Sequence, residues 1–323
     1  MLSENREIYQ SADSPKFIAA RELSWKNFGK EITFYLPGMF TYYGLTGRYS
    51  AVSITGDRCA LQCDHCQAKI LKPMIATDTP ARLLEKCIQL DQSGHLGVLI
   101  SGGSDNQGRL PWNDFIETIA EIKRRTGLIV SVHSGLLDFA TARALKDAGV
   151  DQALIDVIGD DETFKRIYHV DFGVARIAET LNALNHAGLP VVPHIVCGID
   201  YGQIKGEYQA ITMLTDCDIE QVVVVALMHI KGTPIDGSAL PAPNAVADVI
   251  ADARLKLPQA RLSLGCARQR GNRNLEMLAI DAGVNRMALP SDEAIAHAEG
   301  YGLNIRYQRT CCSVVQDLSR HQW

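Results

Sequence analysis

The stretch Ala51-Val52-Ser53-Ile54-Thr55-Gly56-Asp57-Arg58-Cys59-Ala60-Leu61-Gln62-Cys63-Asp64-His65-Cys66 decides the reading of this chain. A short apolar run of strand character opens it, and three cysteines follow within one loop. Thiolates are the ligands that select iron–sulfur clusters or zinc. Zinc fingers usually carry a second ligand pair a dozen or more residues on, and none follows here. The nearest further cysteine, Cys87, falls in the helical pattern Arg82-Leu83-Leu84-Glu85-Lys86-Cys87. Three thiolates on a four-iron cluster leave one iron free for an outside ligand.

Outward from this loop, short apolar runs alternate with helical patterns. Strands are expected at 51–55, 97–101, 128–132, 153–157, 191–196, 221–227, 261–264 and 285–289. Their continuous Val/Ile/Leu character suits parallel strands covered on both faces. Amphipathic segments such as Thr141-Ala142-Arg143-Ala144-Leu145-Lys146-Asp147-Ala148-Gly149 close on a glycine suited to a helix C-terminus. Eight strands with intervening helices predict an α/β chain folded as a (β/α)8 TIM-type barrel, with its site at the strands' C-terminal ends. A doubly wound open sheet is the alternative. The expected division is a cap over residues 1–50, the barrel over 51–290, and a tail over 291–323. The tail's cysteines predict that it folds back over the barrel mouth.

At 323 residues and 46% hydrophobic, the chain can bury a large core. Nine cysteines without a secretory leader point to metal chemistry rather than a disulfide framework. Met1-Leu2-Ser3-Glu4-Asn5-Arg6-Glu7 is polar, and no apolar run approaches the ~20 residues of a membrane span. A formal charge of −5 without a basic cluster argues against nucleic acid as a partner. A cytoplasmic protein with no membrane partner is expected.

Cys-x3-Cys-x2-Cys at the end of a first strand resembles the radical S-adenosylmethionine (SAM) enzymes. That resemblance implies a [4Fe–4S] cluster on Cys59, Cys63 and Cys66, with SAM on its fourth iron. It implies reductive cleavage of SAM to a 5′-deoxyadenosyl radical, and no catalytic residues beyond the cluster ligands. His65 stands where the family usually has an aromatic residue beside the adenine. Ser101-Gly102-Gly103-Ser104-Asp105 resembles the family's Gly-Gly-Glu element for the methionine amine, with Ser104-Asp105 replacing Glu. Asp156 matches a polar residue near the ribose, although the family acid two positions later is Ile158 here. His194-Ile195-Val196-Cys197-Gly198-Ile199 resembles the element stacked near adenine, which implicates Gly198. Arg176 could reach the SAM carboxylate but reads better as a surface helix residue.

Residues 127 to 270 resemble biotin synthase in particular, through phrases such as Leu145-Lys146-Asp147-Ala148-Gly149 and Gly232-Thr233-Pro234. In that family a second, sulfur-donating cluster is held by three strand cysteines and an arginine. The matching positions here are Ile100, Ser131 and Val192, none of them a thiol, while Cys266 falls on the arginine. With Thr310-Cys311-Cys312-Ser313 in the tail, this implies a relocated second [4Fe–4S] cluster on Cys266, Cys311 and Cys312. Arg268, Arg270 or Ser313 would complete it. Cys87, Cys197 and Cys217 read as structural, whereas His133, His194 and His229 fall near strand ends and can line the pocket. The whole looks like one component of the two-protein lipoyl synthase. This implies a second radical SAM component, an octanoylated lipoyl carrier domain and a low-potential electron donor as partners. A maturase or mutase on the same barrel, and a non-enzymatic iron–sulfur or zinc protein, are the competing readings.

Overall fold

The computed structural model describes residues 14–319, so the polar Met1–Glu7 stretch and the last four residues lie outside the described part. Thirteen strands are present among the described residues. In chain order they are β1 Glu31–Tyr35, β2 Thr41–Tyr42, β3 Leu45–Thr46, β4 Tyr49–Ser53, β5 Ile75–Ala76, β6 Gly97–Ser101 and β7 Ile129–His133. There follow β8 Gln152–Asp156, β9 Val191–Cys197, β10 Gln221–Ala226, β11 Arg261–Leu264, β12 Arg286–Ala288 and β13 Asn304–Gln308. Eleven of them form one sheet in the order β13-β1-β12-β11-β10-β9-β8-β7-β6-β4-β5. Every pairing in it is parallel. Helices return the chain between successive strands, the connection parallel strands demand. The helix Phe139–Asp147 is one, and the chain leaves it through Gly149 at φ 90°.

The eight expected strands are the consecutive core β4 and β6–β12, curled in the TIM-type manner. Two segments assigned to cap and tail extend that sheet: β1 pairs with β12 and β13. Both strands mix charged and apolar residues, as suits a sheet margin, and so lack the apolar run that marks the others. The curl is bridged by main-chain bonds rather than a ladder. Gly38 N–H donates to Tyr49 O (3.2 Å) and Arg48 N–H to Arg309 O (2.7 Å).

Alternation along each strand sorts side chains into two layers. Val52, Val98, Ile100, Val130, Val132, Ile155, Val224 and Leu262 pack outward against the helices. Tyr35, Leu154, Val192, Val223, Val225 and Ala288 face inward and enclose a smaller core with Cys312. Ile100 therefore points away from the interior, which corrects its alignment with a cluster-ligand position.

The tail does not cover the mouth. It enters the barrel from the opposite end, the N-terminal ends of the strands, and forms the floor. Gln221 Nε2 donates to Cys312 O (2.7 Å), Gln152 Nε2 to Ser313 O (2.8 Å) and Ser263 Oγ to Cys312 O (3.2 Å). The Arg286 guanidinium donates to Val314 O (2.7 Å), Val315 O (2.8 Å) and the Gln221 side chain. Gln152, Gln221 and Arg286 each open a strand. A non-regular segment inside a barrel must have its backbone polar groups satisfied, and inward polar side chains at the strand starts do so.

Candidate active site

The cluster loop leaves β4 and wraps tightly. Gln62, Gln67 and Ala68 adopt positive φ (45°, 44° and 58°), a conformation side chains other than glycine take at a cost. Cys66 N–H and Gln67 N–H both donate to Cys63 O. Cys63 and Cys66 are buried and Cys59 half-buried, all as free thiols. The Gly-Gly turn after β6 clasps this loop. Gly103 N–H donates to Thr55 Oγ1 (2.7 Å), and Ala60 N–H to Ser104 O (2.7 Å). A Cβ on Gly103 would stand 2.0 Å from Arg58 O and 2.5 Å from Cys59 Cβ.

A second clasp was invisible in the sequence. The Asp64 carboxylate accepts from His169 Nε2–H (2.6 Å) and from Tyr201 O–H (2.9 Å), while its N–H donates to Ile167 O (2.9 Å). These partners lie on loops far along the chain, and no local pattern announces them.

A [4Fe–4S] cluster with SAM fits the residues present. Burial pushes the Cys63 thiol up, reinforced by Cys66 and Cys59, and lifts Cys66 to about 11. Such thiols ionise when a cation takes the proton's place. Beside them, His65 Nδ1 and the Tyr168 hydroxyl are buried without a hydrogen-bond partner. Their rings lie 5.4 Å apart. These orphaned groups, together with Gly102, Gly103, Ser104 and Asp156, line a cavity of about 170 Å3 beside the three cysteines. Gly198 does not line it: its N–H bonds Glu207 Oε1 (2.6 Å) and its α-carbon faces Pro241.

A neighbouring cavity of about 300 Å3 shares the His65, Tyr168, His133 and Asp156 walls and runs inward past Leu99, Leu154 and Val225 to Cys266, Cys311 and Cys312. The loop after β11 and the tail bring these three together. Cys312 lies in the inner core with Cys266 and Cys311 packed against it, and Cys311 Sγ lies 3.0 Å from Ser313 Oγ. Interaction with Cys312 holds Cys266 and Cys311 below an ordinary thiol, and the same mutual interaction raises Cys312. Ser313 is thus positioned as a further donor. Arg268 is not: its buried guanidinium is committed to Glu276 (2.7 Å), Gly265 O and Ala288 O. Arg270 donates to Cys266 O (2.8 Å) and lies over the Phe40 ring.

His133 and His194 flank Asp156 on the cavity wall, with His133 Nε2 3.5 Å from Asp156 Oδ1. Burial would raise the Asp156 carboxyl, but attraction to His133, with His194 and His65, outweighs it and holds the group at about 2. Burial pushes His194 down to about 4. His229 is elsewhere, exposed and bonded to Ser238 O (2.7 Å). Arg176 pairs with Glu179 (3.1 Å) on its helix. Cys87 and Cys197 are buried in the outer core and Cys217 packs at its edge.

Among the described residues no helix is long and apolar enough to cross a membrane. The sequence profile of the Radical SAM superfamily matches residues 53–204, and that of the Biotin and Thiamin Synthesis associated domain matches residues 224–322. The biotin synthase of Citrifermentans bemidjiense is 26% identical over 250 residues, 73% of either chain. That of Pelotomaculum thermopropionicum is 25% identical over 244 residues, 74% of this chain and 75% of its own. Among solved structures, methylornithine synthase superposes with a TM-score of 0.62 at 19% identity, covering 89% of this chain and 83% of its own. The FeFe-hydrogenase maturase HydG from Carboxydothermus hydrogenoformans gives 0.65 at 13%, covering 90% and 71%. At these identities the two structures speak to the fold alone. With its three-cysteine loop, clasping Gly-Gly turn and both matched segments in order on one curled parallel sheet, the chain belongs to the radical SAM superfamily and is biotin-synthase-like within it.

Proposed function

We propose that this radical SAM enzyme inserts sulfur, as one of two partner enzymes adding it at C6 or C8 of an octanoyl chain carried by a lipoyl domain. The sulfur substrate would be an auxiliary [4Fe–4S] cluster on Cys266, Cys311 and Cys312, with Ser313 beside them. The convergence of these three thiols inside the barrel carries the reading. They end a cavity whose other end is the cluster loop. When bound by Cys59, Cys63 and Cys66, the family's cluster with SAM supplies the radical chemistry that activates an aliphatic carbon.

The cavity between the two cysteine sets is walled mainly by apolar side chains, Leu, Met, Ile and Val among them, which suits an unbranched acyl chain and keeps water away. Biotin synthase's own ligand set is missing, since Ser131 bonds the Tyr49 hydroxyl (2.5 Å) and Val192 lies in the inner core. The reaction needs a low-potential electron donor, and the second sulfur needs the second component.

The test is anaerobic iron and sulfide content with Mössbauer spectra, for wild type and for Cys266→Ala/Cys311→Ala/Cys312→Ala. About eight irons falling to about four, and transfer of one sulfur to an octanoylated carrier peptide detected by mass, are expected. About four irons in both would remove the sulfur source and leave a maturase or mutase.

A further inference from the structure

We propose that His133, Asp156 and His194 form a binding site for a single divalent transition-metal ion, separate from both cysteine sets and open to the barrel cavity. Each side chain offers one ligand atom, and these atoms all lie within 4.8 Å of one another, close enough to converge on one ion. Two imidazoles and one carboxylate are the donor set of mononuclear sites that keep coordination positions free. The three come from adjacent parallel strands, β7, β8 and β9, with Asp156 in register with His194 and His133 with Leu154. A rigid sheet rather than a loop therefore fixes their spacing.

A second observation concerns the tautomer. His194 Nδ1–H donates to Val192 O at 3.1 Å. That bond leaves the Nε2 lone pair unprotonated and orients the ring, which is the outer-shell arrangement that metal-ligating histidines make with backbone carbonyls. All three side chains are half-buried on the cavity wall, so the remaining positions of the ion would face bound substrate. The nearer Asp156 oxygen, Oδ1, lies 3.5 Å from His133 Nε2. The inference stands without the sulfur-insertion reading, because it uses none of the six cysteines.

Zinc is the probe, because it is distinct from cluster iron. The anaerobically reconstituted holoenzyme, free of SAM, is titrated with Zn2+, desalted, and examined for metal content and by zinc K-edge absorption. The expected result is one tightly held zinc per chain with nitrogen and oxygen neighbours at about 2.0–2.1 Å. Occupancy should fall by more than about tenfold in Asp156→Asn and in His194→Phe, with iron content unchanged. The wild-type spectrum decides alone if a variant fails to fold. Sulfur neighbours at about 2.3 Å would overturn the proposal. So would a wild type that retains no zinc, or occupancy unaffected by the two substitutions.

Discussion

Replacing Arg286 with methionine tests whether the barrel floor is held as described. The side chain donates to Val314 O, Val315 O and the Gln221 amide oxygen, all in the interior. Methionine fills much of the volume but leaves three acceptors without a donor. A buried unsatisfied group costs about 1–3 kcal/mol. Burial already depresses the Arg286 pKa, so removing its charge returns part of the loss and the low end applies. Three acceptors at about 1 kcal/mol each give about 3 kcal/mol against the seated tail. At 1.4 kcal/mol per factor of ten, that raises the tail's opening equilibrium roughly 150-fold. The reporter is the Val315 amide, which donates to Gln152 Oε1 at 3.2 Å and exchanges with solvent when the tail lifts. Its hydrogen-exchange protection should drop by about two orders of magnitude. Protection within about threefold of wild type would refute the claim that these bonds seat the tail.

Gly103→Ala forces a methyl group against Arg58 O and Cys59 Cβ; the cluster loop should then lose most of its iron in anaerobic metal analysis, and a full complement would show the loop can yield. Asp64→Asn weakens the bonds from His169 and Tyr201 and should lower stability by about 1–3 kcal/mol in urea titration, with faster stripping of loop iron by a chelator. Glu276→Gln leaves the buried Arg268 charge uncompensated and should cost about 3–5 kcal/mol by the same titration. Asp138 caps the helix Phe139–Asp147 through Thr141 N–H (2.9 Å), a bond that lowers its carboxyl pKa below 3.8. A group depressed on folding stabilises above its unfolded pKa and loses that contribution as pH falls through the folded value. Asp138→Ala should therefore cost about 1 kcal/mol at neutral pH, a gap that closes on acidification below about pH 4; a widening gap there would contradict it.

What the sequence disclosed follows from how local each signal was. The strand at Gly97–Ser101 is an apolar run bounded by turn residues, and its limits could be read directly. Cys59, Cys63 and Cys66 declare themselves by spacing within one loop. Cys266 and the Cys311–Cys312 pair do not, because only the closed barrel brings the end of β11 to the tail, and a family likeness was needed to connect them. β1 and β13 were missed because Glu31, Arg306 and Gln308 break the apolar pattern. One signal was present and unused: Gln152, Gln221 and Arg286 are polar residues opening otherwise apolar strands, and such residues must find partners inside. The tail was expected at the mouth because its cysteines implied proximity to the site. Nothing in its own sequence says from which end it arrives.

The route of the tail also sets an order of manufacture. The ribosome delivers the cluster loop early and the Cys311–Cys312 floor only after every core strand has emerged. At ~5–20 residues per second, the two thiol sets are separated by on the order of ten seconds or more of translation. Until the tail is made, Gln152 and Gln221 have none of the tail carbonyls that they hold in the finished barrel. The interior thiol trio is therefore complete only when nearly the whole chain has been made. Whatever loads it must act on a nearly finished protein, whereas the first loop can be served while the chain is still being made.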